Sequence, residues 1–263
     1  MTTTTTAVNV GGVCIGLRTS SARYVDLLHE RFAGYIEPSS RPDYEFEVEL
    51  VEPREDAPDR DVRVYREGGH WRIERGDFEA ALDPVSRRGR IRQDANPYSV
   101  DSLLRIVHTL ALAPQGGFLL HASSAVRHGR AHVFAGVSGA GKTTMARLAP
   151  PDALVMTDEV SCLRREGRGY VAHGTPFAGE LARPGANVSA PVEAIYMLKH
   201  GRENRVAALE PAQAARALLS TILFFAEDPA LVRQVFASAL ELVERMPVRR
   251  LTFVPEAGAW DLI

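Results

Sequence analysis

GVSGAGKTT, residues Gly136 to Thr144, is the stretch on which the reading of this chain turns. Gly136, four residues and then Gly141-Lys142-Thr143 satisfy the spacing G-x-x-x-x-G-K-[ST]. Each residue type has a physical reason. Glycines let backbone N–H groups turn inward around phosphate oxygens, where a side chain would block approach. Lys142 adds a point charge near the terminal phosphates, and the Thr143 hydroxyl can ligate Mg²⁺. The N-terminal end of the following helix adds a positive dipole. The residues expected to hold the nucleotide are Gly136, Ser138, Gly139, Ala140, Gly141, Lys142, Thr143 and Thr144. Their context suits the motif: the apolar AHVFA (131–135) stands directly before the loop as a strand, and the helix-compatible TMARLA (144–149) directly after it.

A nucleotide loop of this kind needs an acid to organise the metal, and a pair follows almost at once. Asp158 and Glu159, in DALVMTDEV, come sixteen and seventeen residues after Lys142. The helix must end by Pro150-Pro151, because proline cannot continue it. The chain then returns along a short strand to the acids. If that strand runs parallel to AHVFA, its C-terminal end sits beside the loop, where open sheets bind ligands. Two adjacent acids can divide labour, one ligating Mg²⁺ and the other taking a proton from an attacking hydroxyl. The bland alternative is an exposed turn with solvated charges.

At this point GVSGAGKTT, preceded by FLLHASSAV (118–126) and followed by LVMTDEV (154–160), resembles the kinase domain of HPr kinase/phosphorylase and its relatives. ATP-dependent phosphoenolpyruvate carboxykinase has a similar loop and is a more distant likeness. The HPr kinase pattern has a His-Gly pair upstream and an Asp-Asp pair downstream; this chain has His121-Ala122 and Asp158-Glu159. The resemblance covers roughly residues 100–200 and implies an α/β P-loop kinase domain of the HPr kinase type. It implies that His121 lies near the terminal phosphate, that Asp158 is the base, and that Glu159 shares the metal with Thr143. Read without the resemblance, His121 is a buried histidine satisfied by backbone groups. The segment AHGTPFAGEL (172–181) does not reproduce the family signature and looks more like HPr-kinase-like enzymes of peptide-modification clusters, including kinases of lasso precursor peptides. Thr175 or Glu180 would there reach the magnesium or the substrate, although a turn explains Gly174, Pro176 and Gly179 equally well. Arg183 is read either as balancing charge on the transferred phosphoryl group or as a surface arginine.

Outside this region the pattern is coarser. A strand is expected from Val8 to Thr19, after a frayed threonine run. A helix is expected from Ser20 or Ser21 to about Gly34, with Val25, Leu28 and Phe32 on one face. YEFEVELV (44–51) alternates as a half-buried strand, and Glu52 to Arg60 reads as an exposed loop. Short strands follow at 62–65, 70–74 and 78–82, then a helix over 99–113 whose stripe Leu103, Ile106, Val107, Leu110 belongs to the core. Strands at 118–127 and 131–135 flank a turn at His128-Gly129, which removes His128 and His132 as a helical metal pair. Later strands are expected at 152–157, 159–164, 170–172, 192–198 and 248–254, with helices at 211–225 and 229–245. The domain reading is a small α+β domain over 1–98 and the kinase-like domain over 99–263.

Composition sets the remaining bounds. The chain has 263 residues, 45% of them apolar and 24% charged, with a net charge of −2 from 31 basic and 33 acidic side chains. No overall field draws it to nucleic acid or to an anionic membrane. Cys14 and Cys162 are far apart and have no metal-ligand spacing. No signal peptide or membrane span is read, so a cytoplasmic protein is expected. The expected function is a Mg²⁺- and ATP-dependent kinase acting on a hydroxyl, serine of a peptide or small protein first. The alternatives are a small-molecule kinase of a biosynthetic pathway and a non-transferring ATPase switch. A homo-oligomer is implied by resemblance alone.

Overall fold

The computed structural model describes residues 2–37, 41–52 and 61–263; the loop expected at 52–60 lies almost wholly outside them. The chain is mixed α/β, with two large sheets and few helices. Its contacts group into two units, residues 1–111 with 224–232, and residues 112–223 with 233–263. The boundary expected at 98/99 falls inside a helix, and contacts assign most of that helix to the first unit.

The first unit holds β1 (Thr4–Val10), β2 (Val13–Thr19), α1 (Ala22–Arg31), β3 (Tyr44–Leu50), β4 (Arg63–Glu67), β5 (His70–Arg75), β6 (Phe78–Asp83), β7 (Arg88–Gln93) and α2 (Pro97–Leu112). The sheet order is β1-β2-β3-β7-β6-β5-β4. The single strand expected from Val8 is instead a hairpin turning at Gly11-Gly12, where both φ angles are positive. The threonine run is not frayed: Thr4 to Thr6 pair with Thr19 to Leu17, and Thr6 is buried. Threonine is β-branched, so a strand partner suffices to order it. Ser21 caps α1 by accepting the N–H of Tyr24, and the buried face carries Tyr24, Leu28 and Phe32.

Strand β7 escaped the sequence reading because RGRIRQ has one apolar residue, Ile91. Ladders to β3 and β6 and the buried Ile91 order it, and charge helps to set its register. β3 and β7 run parallel with Glu45, Glu47 and Glu49 opposite Arg88, Arg90 and Arg92. The facing ion pairs measure 3.8, 3.6 and 3.3 Å. Each is exposed and contributes about 0–1 kcal/mol at most, but together they oppose register slip.

The second unit holds β8 (Phe118–Arg127), β9 (Arg130–Ala135), α3 (Lys142–Arg147), β10 (Ala153–Thr157), β11 (Val160–Glu166), β12 (Gly169–His173), β13 (Ser189–His200), β14 (Arg205–Ala208), α4 (Pro211–Leu219), β15 (Ile222–Leu223), α5 (Pro229–Arg245) and β16 (Val248–Phe253). α5 begins in the first unit and ends in this one. The helix expected at 211–225 stops at Leu219, and the chain turns to add β15 to β8. The pairs β8–β11, β11–β12, β12–β13, β13–β9 and β9–β8 close a ring of strands. β8 and β9 join through His128-Gly129, both at positive φ, as a two-residue hairpin turn requires. β9, β13 and β16 run parallel, so their C-terminal ends lie together.

Trp260 locks this unit to α3. It is 2% exposed, meets Phe134 edge-on at 5.0 Å and donates its indole N–H to the Met145 carbonyl at 3.0 Å. Trp260→Ala should cost about 3–5 kcal/mol in urea unfolding, while Trp260→Phe, which keeps most of the packing, should cost less than half of that.

Candidate functional site

The glycine loop follows β9 and leads into α3, which is the strand–loop–helix order the motif needs. Three glycines are constrained, Gly136 by the Ala140 Cβ that a side chain of its own would meet at 2.6 Å. Gly139 and Gly141 have φ of +77° and +102°, and a Cβ on Gly141 would lie 2.5 Å from the Phe253 ring. Val137, Ser138 and Gly139 are exposed, whereas Lys142 is buried. The Lys142 ammonium donates to the carbonyls of Gly136 and Val137, both at 3.2 Å. Its own carbonyl accepts from Ser123 Oγ at 2.8 Å, which ties the start of α3 to β8. Thr143 and Thr144 are partly exposed in the first turn.

β10 and β9 are both antiparallel to β8, hence parallel to each other with β8 between them. Thr157 pairs with Ser124 and Ala135 with Ala122, so the two strands end at nearly the same height. The parallel geometry posed as a condition by the sequence therefore holds. Thr157 Oγ1 accepts the N–H groups of Glu159 and Val160 at 3.3 Å, making the tight turn that carries the acids.

The two acids differ sharply. Asp158 is 2% exposed, and its carboxylate accepts the N–H groups of Gly179 at 3.0 Å and Leu181 at 2.9 Å. Glu159 is partly open, 3.4 Å from His121 Nε2. His121 sits on β8 opposite Val160, and its N–H donates to the Thr221 carbonyl. Its ring is partly exposed and faces the Glu159 carboxylate, so the reading as a buried histidine satisfied by backbone groups fails. The segment 174–188 lies against the acids. A Cβ on Gly179 would come within 2.9 Å of the Glu159 side chain, so glycine is required there for close approach.

The other candidates separate. Thr175 is fully buried and donates to the Val160 carbonyl at 2.6 Å. It is a structural hydroxyl, and the expectation that it reaches metal or substrate is withdrawn. Glu180 is exposed and stands 3.5 Å from Arg147. Arg183 is exposed and lines, with Asp158, an open pocket of about 690 Å³. The sequence reading missed His200 at the end of β13. Its Nε2 lies 3.0 Å from the Gly139 carbonyl, and its ring packs on Phe253 with centroids 5.2 Å apart. Only the register of β13 against β9 and β16 brings it under the loop, and no spacing in the sequence signals that.

Oxygen donors from Thr143 and Glu159 are the hard ligand type Mg²⁺ prefers. Among the described residues no cluster of three or more His, Cys, Asp or Glu side chains stands ready for a metal.

Burial pushes the Lys142 ammonium below the ordinary lysine value, while the negative charges of Glu159 and Glu180 pull it back up. The chain has only two lysines, Lys142 and Lys199. An NMR titration of the two ε-amines should therefore find Lys142 below 10.5, the usual lysine value, and Glu159→Gln should lower it further. A rise on that substitution would refute the coupling.

A family model described as SynChlorMet cassette protein ScmC matches residues 90–262, more than half of the chain. No curated protein gives a significant match. Among the described residues no helix is long and apolar enough to cross a membrane. The matched stretch takes in the glycine loop, the acid pair and His200, and the chain belongs to the ScmC family.

Proposed function

We propose that the second unit is a P-loop kinase domain of the HPr kinase type, which transfers the γ-phosphoryl group of ATP to a hydroxyl, serine of a peptide or small protein. The observation that carries this reading is the common height of two strand ends, one bearing the glycine loop and the other Asp158 and Glu159. A loop that only holds nucleotide needs one acid for its metal. A second acid brought beside it by the same strand end supplies the base that transfer to a hydroxyl additionally requires.

The roles divide by exposure and partner. Backbone N–H groups of the loop and Lys142 hold the triphosphate, with Lys142 leaving its carbonyl partners for phosphate oxygens. His200 keeps the Gly139 carbonyl turned away from the phosphates. Asp158 spends two carboxylate lone-pair sites on backbone N–H groups and keeps two for an acceptor hydroxyl. It orients that hydroxyl and takes its proton. Thr143 and Glu159 would hold Mg²⁺, which when bound neutralises charge on the phosphates. His121 stands beside Glu159 and keeps that carboxylate aimed into the site.

Incubation with γ-labelled ATP, Mg²⁺ and serine peptides tests the reading. Lys142→Ala should mainly weaken nucleotide binding. Asp158→Asn should keep nucleotide yet lose transfer by roughly 10²–10⁴-fold. Undiminished transfer by Asp158→Asn would remove it as the base, and hydrolysis without a labelled acceptor would favour the ATPase reading.

His200 has its own check, with a fluorescent ATP analogue. His200→Ala should weaken binding about fivefold to tenfold, the worth of one neutral hydrogen bond. His200→Gln, which still offers an N–H, should recover most of it.

A further inference from the structure

Resting on the kinase reading, we infer that the pocket beside Asp158 is the acceptor site and that it takes an extended, acidic peptide segment rather than a free metabolite. The pocket lies between the C-terminal end of α3, strand β10 and residues 181–186. Its volume is about 690 Å³, and Asp158 is the one carboxylate in its lining. β10 is an edge strand of five residues, about 16 Å long at 3.3 Å per residue. The pocket lining runs from Pro150 and Pro151, ahead of that strand, through Ala153, Leu154, Val155 and Thr157 to Asp158 just past its end. A cleft lined along the whole of that strand has room for several residues of extended chain.

The lining states what the chain should carry. Ala149, Pro150, Leu154, Leu181 and Pro184 make apolar walls, and Leu154 is 51% exposed. Those walls suit an aliphatic side chain next to the acceptor serine. Arg183 lines the cleft, and no ion pair to it is found among the described residues. Arg147 lines it too and is held loosely, 3.5 Å from Glu180. With Arg147 already facing Glu180 and Asp158 buried under backbone N–H groups, the exposed Arg183 guanidinium is the charge that favours an anionic occupant. With such a peptide seated, the serine oxygen bonds to the γ-phosphorus. The bond from that phosphorus to the β–γ bridging oxygen breaks, ADP departs with the electron pair, and the serine proton passes to Asp158.

The probes are two fluorescein-labelled eight-residue peptides with a central serine flanked by leucine, one carrying two aspartates and the other two lysines in their place. Anisotropy should show the aspartate peptide binding at least fivefold tighter, the range of a partly exposed ion pair. Arg183→Glu should abolish or invert that preference, and Leu154→Glu should weaken binding of the aspartate peptide, both with unchanged thermal midpoints. Equal binding of the two peptides, or a preference untouched by Arg183→Glu, overturns the inference. So does transfer of label to free serine but not to either peptide. Charge-selective binding without any label transfer leaves the groove standing and removes the kinase reading. Label transfer indifferent to peptide charge does the reverse.

Discussion

The arrangement of the second unit depends on β8. This ten-residue strand pairs with β9 and β10 along its C-terminal half and with β11 and β15 along its N-terminal half. The glycine loop and the acid pair never pair with each other; each is placed by its own register against β8. Because side chains alternate, a one-residue slip on either side would turn a functional face into a buried one. Small hydroxyls resist such slips from within. Ser123 bonds the start of α3, and Ser161 bonds both the Ala122 carbonyl and Ser124 Oγ. These buried groups are fully partnered, so they fix geometry without the desolvation cost of an orphaned hydroxyl.

What the sequence disclosed follows where the physics is local. The glycine loop, the β8–β9 turn at His128-Gly129, the Ser21 cap and the α5 span Pro229–Arg245 all depend on residues within a few positions of one another, and all were readable. β7 was not, because its order comes from the strands it meets on both sides, β6 and, about forty residues earlier in the chain, β3. The threonine run was misread for a similar reason: a strand so polar is ordered only by the partner it meets across Gly11-Gly12. Within the site the same division holds. Asp158 and Glu159 were visible as a pair, but nothing in DEV says that one is buried under two backbone N–H groups and the other left open. His200 and the fate of Thr175 required strand registers that no short window contains.

The backbone of 179–181 gives Asp158 a double identity. It is the anchor of the segment that runs over it and the only carboxylate lining the adjoining pocket. A carboxylate held by two backbone N–H groups has its rotamer fixed before any ligand arrives. Preorganisation of that kind lowers the entropy cost of reaching a reactive geometry. Gly179 is the complementary requirement, since any larger residue would push the loop off the carboxylates.

The scarcity of lysine has a practical corollary. Twenty-nine of the 31 basic side chains are arginine, and the two ε-amines fall one in the glycine loop and one next to His200. Lys142 is buried and Lys199 exposed, so succinimidyl dyes and amine-coupled sensor surfaces find a single open lysine. Attachment chemistry for this molecule belongs on an introduced thiol, well away from the amines that nature has kept so few.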